Sequence, residues 1–429
     1  MISIDDLNNM LGCYGHGQVK SPNIDRIAAR GIKFDRAYSQ YPLCNPSRAS
    51  FLSGLRPETT GIFDLQTSPR HKLPNAVFLP QLFRGHGYFT ARVGKIFHDG
   101  RDDAASWDVS DEGKSQDTQE LAAARRRYER TSDQRSPEWT ALDGPDESTG
   151  DGIVAGRVAE LMERSVKEGK PFFLAAGFRK PHLPWTAPRK YFDLYPPDKI
   201  VLPSEPAMRE IPELALMTEL TGSPPPRSRS EAVAAYQACV SFMDAQAGVL
   251  LRTMDRLRLW ENTVIVVFSD HGFHLGDHGG LWAKLTLFEQ SARVPLVIAA
   301  PNLSGDKASG RTVELLDIYP TLAELCGLPR PEALEGRSLV PLLKQPRAAW
   351  EKPAYTMVHH KNILGKSVRT ERWRYTEWGE GKEGVELYDH TSDPHEFSNF
   401  ASNPRYAGVV TKMKRLLRLN GKSTVPAKR

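Results

Sequence analysis

Cys44-Asn45-Pro46-Ser47-Arg48-Ala49-Ser50-Phe51-Leu52-Ser53-Gly54, followed by Leu55-Arg56-Pro57, is the stretch from which the rest of the chain can be ordered. It sets a proline two residues after a cysteine, an arginine four residues after it, and Leu52 and Gly54 at fixed offsets beyond. Four residues is about one helical turn, so a helix over this stretch brings the Arg48 fork of donors close to Cys44. The plainer reading is a free cysteine buried at a helix start, where it packs as a small hydrophobe.

Working outward, the chain alternates strands with helices. Upstream, Ile2 to Ile4 reads as the end of a buried strand, followed at once by Asp5-Asp6. Ser21-Pro22-Asn23 opens a helix: serine suits the N-cap, proline the first turn, and Ile24, Ile27 and Ala28 recur at helical spacing. Phe34 to Tyr38 is a short extended segment leading into the Cys44 loop, with Arg48 on the helix that follows. Downstream, Leu79 to Phe83 predicts a helix ending at Gly85-His86-Gly87. Tyr88 to Val93 predicts a strand that delivers Gly94-Lys95-Ile96-Phe97-His98.

Residues 99–152 change character: Asp, Glu, Arg, Ser and Gly dominate and apolar periodicity is lost, apart from a polar helix near Leu121 to Tyr128. This predicts a surface insertion bordering a site. Val154 to Val166 returns to an amphipathic helix, and Pro171 to Phe178 is an apolar strand ending in Arg179-Lys180-Pro181-His182-Leu183-Pro184-Trp185. A Pro-rich run to about Pro226 predicts wrapping loops, and Ala232 to Leu257 a long helix. Thr263 to Phe268 and Val294 to Ala300 read as strands buried on both faces, the first delivering Ser269-Asp270-His271-Gly272, and Asp317 to Cys326 as a helix. Beyond about Gly336 come strands without intervening helices, at Ala354 to Val358, Lys366 to Arg369, Trp373 to Trp378 and Glu386 to Tyr388. A helix near Tyr406 to Leu419 and a basic tail close the chain. The fold class is therefore α/β, a mostly parallel sheet sandwiched by helices, with a larger unit over 1–340 and a smaller antiparallel-sheet unit over 341–429.

Composition agrees with a globular chain. With 429 residues and 40% hydrophobic content it buries a large core. Its 57 basic and 52 acidic residues give a net charge of +5 spread along the sequence. That argues against nucleic acid as a partner and leaves room for a basic pocket holding an anionic substrate. Cys13, Cys44, Cys239 and Cys326 are too few and too scattered for a disulfide framework or a zinc site. No apolar run approaches a membrane span, and no signal peptide precedes the first motif.

The chemistry-bearing residues form a constellation. Asp5-Asp6, Cys44, Lys95 with His98, His182, Asp270-His271 and Lys284 all fall at or soon after predicted strand ends, the edge of an open α/β sheet where ligands bind. Asp5, Asp6 and Asp270 offer hard oxygen ligands suited to Ca²⁺ or Mg²⁺. Taken singly, each has an ordinary reading: turn chemistry for Asp5-Asp6, structural packing for His98 and His182, solvated charge for Lys95 and Lys284. Lysine beside a tetrahedral anion neutralises developing oxyanions, and histidine is the natural proton donor near neutral pH.

The Cys44 stretch is similar to the signature of the type I sulfatases, and the chain most resembles their iduronate-2-sulfatase branch. The blocks that carry the resemblance are Asp5-Asp6-Leu7 with Leu11-Gly12-Cys13-Tyr14-Gly15, Ser21-Pro22-Asn23-Ile24-Asp25, the signature itself, Gly94-Lys95-Ile96-Phe97-His98 and Lys180-Pro181-His182. Ser269-Asp270-His271-Gly272 with Leu275-Gly276-Asp277-His278-Gly279, then Glu386-Leu387-Tyr388-Asp389, Asp393-Pro394 and Asn399, extend it to most of the chain. The resemblance implies an alkaline-phosphatase-like fold. It also implies oxidation of Cys44 to formylglycine by a formylglycine-generating enzyme, the hydrated aldehyde being the nucleophile. By carry-over, Asp5, Asp6, Asp270, His271 and the converted Cys44 would bind calcium, with magnesium as the other candidate. Arg48 and His98 would orient and activate the nucleophile, Lys95 and Lys284 would bind sulfate, and His182 would protonate the leaving group. His271 stands where many sulfatases have Asn, and it is one of the features pointing to the iduronate branch. With Cys44 converted, three cysteines remain and at most one bridge can form.

The implied substrate is a sulfated carbohydrate, a glycosaminoglycan-like or other polysaccharide fragment. The implied setting is periplasmic or secreted. The first strand normally begins several residues earlier in sulfatases, so a truncated start with a lost export signal is expected. Asn302-Leu303-Ser304 is the one N-glycosylation sequon in the sequence. Two other classes compete: a phosphate or phosphonate monoester hydrolase on the same fold, and a glycan-binding protein in which Cys44 is never oxidised.

Overall fold

The computed structural model describes residues 1–113, 138–218 and 228–419. The polar helix expected near Leu121 to Tyr128, the end of the Pro-rich run at Pro226 and the basic tail lie outside the described residues. At the centre is a nine-stranded sheet. From edge to edge run Lys307–Glu314, Ile32–Tyr38, Arg293–Val294 with Leu296–Ala299, Ile265–Ser269, Ile2–Ile4, Phe172–Phe178, Phe89–Gly94 and Val109–Asp111. All neighbours pair in parallel except the 293–299 segment, which runs antiparallel between Ile32–Tyr38 and Ile265–Ser269. Pro295 divides that segment, because proline brings no N–H to the ladder.

The sheet is buried on both faces, as its apolar strands require. Ile4, Ala176 and Val267 share one core with the helices Gly150–Lys167 and Arg229–Arg256. Ala175, Val266 and Phe268 share the other with the helices Cys44–Ser53, Leu79–Gly85 and Ile318–Leu325. Phe51 meets Phe268 edge-on at 4.9 Å and 83°, fixing the Cys44 helix to a central strand. Such a pair adds about 0.5–1.5 kcal/mol beyond its area. The sequence placed Cys44 in a loop, but it is the first residue of the helix. All ten residues of that helix are buried, so no polar face marks it.

The helix Pro22–Arg30 forms as expected, with a different cap. Ser21 Oγ accepts Gly12 N–H at 2.8 Å and donates to Asp25 at 3.1 Å, which turns it away from the helix, and it makes no cap hydrogen bond there. Asp244, from the long helix packed alongside, takes the N–H groups of Asn23 and Ile24 at 3.1 and 2.8 Å. A full carboxylate thus satisfies the orphan donors that serine would have capped singly.

Within 99–152 the excursion is not confined to the surface. Val109–Asp111 pairs in parallel with Phe89–Gly94 and forms the sheet's far edge, and Trp139–Leu142 pairs with Trp185–Pro188. Short strands in a polar context leave too little alternation to be read. At the other end, Ala354–His360, Ile363–Arg369, Trp373–Trp378 and Gly384–Asp389 form a four-stranded antiparallel sheet. The helix Ala407–Leu419 covers it through Met413 and Leu417. This sheet is fastened to the larger one by Thr356 Oγ1, which donates to Ser39 O at 2.7 Å, and Met357 N–H, which donates to Gln40 O at 3.0 Å. Among the described residues no helix is long and apolar enough to cross a membrane, and all four cysteines are free.

Candidate active site

Parallel strands bring their carboxyl ends to one edge of the sheet. Ile2–Ile4 ends at Asp5-Asp6, Ile265–Ser269 at Asp270-His271 and Phe89–Gly94 at Lys95, while Phe172–Phe178 runs on to His182. The helix Cys44–Ser53 starts beside them, and Lys284 arrives just after the hairpin of His274–Gly276 and Leu281–Ala283. Glycines permit the closest approach. Gly94 has φ +80°, and a Cβ there would lie 2.2 Å from Gly177 O; a Cβ on Gly177 would meet Lys95 backbone atoms at 2.3–2.4 Å. Lys95 is therefore seated directly against the neighbouring strand.

Cys44 Sγ lies 3.1 Å from Lys284 Nζ, 3.4 Å from His271 Nε2 and 3.5 Å from Asp5 Oδ1. Lys95 Nζ donates to Asp5 at 2.5 Å and Lys284 Nζ to Asp6 at 2.7 Å. Arg48 is buried, and every nitrogen of its fork is engaged: Nε donates to Asp270 at 2.9 Å, Nη2 to Asp5 at 3.3 Å, and Nη1 to the carbonyls of Lys95 and Ile96 at 2.7 and 2.9 Å. His271 Nδ1 faces Gly272 O at 2.9 Å, which leaves Nε2 aimed at Cys44. His182 is held similarly, with Nδ1 2.6 Å from Leu183 O and Nε2 3.9 Å from Asp6. Its side chain is 29% exposed while those of Asp5, Asp270 and His271 are at 0%, so a ligand reaches the cluster past His182.

Enclosed charges set one another's protonation. Burial and Asp5 push the Cys44 thiol up, but Lys284, Lys95 and His271 outweigh them and hold it well below the ordinary thiol range. Burial likewise opposes ionisation of Asp5, and Lys95, His182, Arg48 and Lys284 together keep it well below a normal carboxyl. Asp270 goes the other way: its burial raises it despite Arg48. For His182 burial lowers the pKa, and Asp6 and Asp5 more than reverse this, favouring the imidazolium.

Asp5, Cys44, Asp270 and His271 each offer a ligand atom within 4.8 Å of the others, as do Asp6, Cys44 and His182. Carboxylate oxygens around an imidazole nitrogen with its other nitrogen engaged make a donor set fit for a hard divalent cation. Nine of the ten residues singled out from the sequence are thus drawn into this cluster or its hydrogen bonds. His98 is the exception: three residues beyond Lys95, its Nδ1 is buried without a partner among the described residues. A cavity of about 760 Å³ lined by Ile2, Leu174, Ile265 and Cys326 lies at the opposite, amino edge of the sheet, so void volume does not mark the site.

Several supporting residues escaped the sequence reading. Ser47 Oγ donates to Asp270 O at 2.5 Å, and Ser269 Oγ accepts Leu7 N–H at 2.9 Å while lying 2.7 Å from His271 O. Asn45 donates to the carbonyls of Asp64 and Thr67 at 2.8 and 2.9 Å, holding a rim loop beside Cys44. Arg179 forks onto Asp99 at 2.6 and 2.8 Å. Ser47, Asn45 and Ser269 stand inside quoted motifs, and that adjacency was the available signal.

A family model described as Sulfatase matches residues 1–328, and one described as N-sulphoglucosamine sulphohydrolase, C-terminal, matches residues 276–422. A sulfatase of Formosa agariphila is 34% identical over 97% of this chain and 85% of its own length. The iduronate 2-sulfatase of Mus musculus is 30% identical over 96% of this chain and 92% of its own. Among solved structures, the phosphonate monoester hydrolase SpPMH from Silicibacter pomeroyi superposes with a TM-score of 0.80 at 21% identity, covering 99% of this chain and 96% of that one. That likeness is one of fold, and the fold is alkaline-phosphatase-like. With a cysteine, two lysines and three aspartates gathered at the carboxyl edge of the sheet, and with the family match running through all of them, the chain belongs to the sulfatase family.

Proposed function

We propose that this sulfatase removes sulfate from a sulfated carbohydrate, a glycosaminoglycan-like or other polysaccharide fragment, with Cys44 converted to formylglycine as its nucleophile. The observation that carries the reading is the convergence of Lys284, His271 and Asp5 on Cys44 Sγ, with Arg48 one turn along the same helix. The converted residue supplies two hydroxyls on one carbon, one to attack sulfur and one to release sulfate afterwards. A divalent cation held by Asp5, Asp6, Asp270 and His271 would supply Lewis-acid stabilisation of charge on the ester oxygens.

The chain's own groups do the rest. Lys95 and Lys284 place two point charges on the same side as the reacting atom, where they bind the sulfate monoanion and neutralise charge that develops on it. Arg48, tied at four points, keeps the head of its helix and the two carboxylates Asp5 and Asp270 in one geometry. His182 gives a proton from Nε2 to the leaving sugar oxygen, because its Nδ1 is engaged with Leu183 O and the neighbouring carboxylates favour its charged form. His98 is assigned to activation of the nucleophile on the family resemblance, and its Nδ1 is buried without a partner among the described residues. Iduronate-type sugars are the first substrates to try, because the mouse relative bears that name and the motif blocks quoted from the sequence resemble that branch.

The test is sulfate release from a panel of sulfated disaccharides by protein co-expressed with a formylglycine-generating enzyme. Cys44→Ala and a matched phosphate ester run alongside. Release that depends on Cys44 and exceeds phosphate release supports the reading. The phosphonate hydrolase neighbour makes phosphoryl transfer the competing reading, and phosphate release exceeding sulfate release would establish it in place of ours.

A further inference from the structure

Asp151 is a fully buried carboxylate that none of the proposed steps uses. It sits in the first turn of the helix Gly150–Lys167, yet that helix is capped by Thr149, whose Oγ1 accepts Gly152 N–H at 3.1 Å. Asp151 faces away to another element. Its Oδ1 accepts Arg179 N–H at 2.8 Å and its Oδ2 accepts Lys180 N–H at 2.9 Å, the first two peptide groups beyond the central strand Phe172–Phe178. Burying a carboxylate is costly, and here burial does raise its pKa while the two N–H groups, Lys180 and Arg179 pull it back. Two charge-assisted bonds to consecutive amides fix where the chain leaves the sheet.

From that anchor the loop closes on itself. His182 N–H donates to Arg179 O at 2.7 Å, and Lys180 Nζ donates to His182 O at 2.9 Å and Pro184 O at 2.5 Å. His182 Nδ1 then meets Leu183 O at 2.6 Å, leaving Nε2 directed at Asp6. We infer that Asp151, acting through Lys180, is the positioning residue that aims the His182 imidazole at the leaving-group oxygen. This rests on the assignment of His182 as the acid.

The experiment compares Asp151→Asn, Lys180→Met and His182→Ala with the wild type on a series of substituted phenyl sulfates, from 4-nitrophenyl to 4-methoxyphenyl. A 4-nitrophenolate leaves without help, whereas the poorer leaving groups need the proton. For Asp151→Asn the expected loss in kcat/KM is about 100-fold on 4-methoxyphenyl sulfate, the lower end of what a general acid contributes, and under about 3-fold on 4-nitrophenyl sulfate. Lys180→Met steepens the same dependence. A merely structural role lowers every ester by one factor, so parallel plots for Asp151→Asn and Lys180→Met, beside a steepened plot for His182→Ala, overturn the inference alone. A parallel plot for His182→Ala overturns the acid assignment and the inference with it. Nitrogen-15 spectra of histidine-labelled protein give a readout free of turnover. The wild type shows His182 with both ring nitrogens protonated and Nδ1–H held to Leu183 O, Asp151→Asn shows that hydrogen-bond signature averaged, and identical spectra count against the proposal.

Discussion

Replacing Arg374 by methionine tests how the small sheet holds the large one. Arg374 is buried on the strand Trp373–Trp378, where Nη2 donates to Glu289 at 2.5 Å and Nε to Glu396. Glu289 opens the short helix Glu289–Ala292 next to the site; Ser291 O of that helix accepts Gly272 N–H at 2.8 Å, one residue from His271. Removing one partner of a buried pair costs about 3–5 kcal/mol, and the lower end applies here. Arg369 stays 3.2 Å from Glu289, and His390 stays 2.9 Å from Glu396. Burial raises both carboxyls, yet the surrounding cations hold both below the ordinary value of 4.5, Arg369 leading for Glu289 and Arg374 for Glu396. Their contribution is therefore present above that value and is lost as pH falls through the depressed folded values. The deficit of Arg374→Met is consequently full at about pH 7 and contracts towards about pH 4. Urea unfolding followed by circular dichroism at both pH values measures it, with Arg374→Met/Glu396→Gln expected to recover part of the loss at neutral pH. A deficit under about 1 kcal/mol, or one equal at the two pH values, refutes the reasoning.

Cys44→Ser should release sulfate at a small fraction of the wild-type rate with an unchanged melting temperature, since an unoxidised alcohol has no second hydroxyl with which to expel sulfate; sulfate assay and calorimetry together check this. Chelation by EDTA should lower both activity and melting temperature, and calcium should restore them: a ligand a thousandfold above its Kd stabilises by about 4 kcal/mol. An unchanged melt with EDTA counts against the metal set. Gly177→Ala drives a Cβ into the Lys95 backbone, whose atoms lie within 2.4 Å of it. A loss of about 1–3 kcal/mol in stability is expected, with a larger proportional loss in activity because Lys95 itself moves; equal kinetics in the variant would sink the claim that this contact seats Lys95.

What the sequence made legible, and what it hid, follows from the range of the interactions involved. The strand ends were readable because a parallel strand buried on both faces is an uninterrupted apolar run, and the polar residues that stop it stand at the ligand edge. The direction of the 293–299 strand was not, because antiparallel and parallel burial leave the same apolar run. Lys307–Glu314, with Gly310 and three charged residues, was not singled out in the sequence. It is nonetheless an edge strand half open to solvent, paired with Ile32–Tyr38 through a shift of register between Ser309 and Thr312. Ser21 was read as a cap on local chemistry, and the cap came from Asp244, 220 residues away at Ile24. The site divides along the same line. Asp5, Asp6, Asp270, His271, Lys95 and Lys284 are exposed to reading by their position after strands, while the contact that Lys284 makes with Cys44 across 240 residues is visible only in the fold. Asp151 had none: an acidic residue in the first turn of a helix is everyday composition, and only the 28-residue return of the chain to Arg179 gives it a task. Residues that touch the reacting atoms are constrained in type by chemistry and so are recognisable one at a time. Residues that aim them are constrained only by where the backbone returns, and reading those requires the fold.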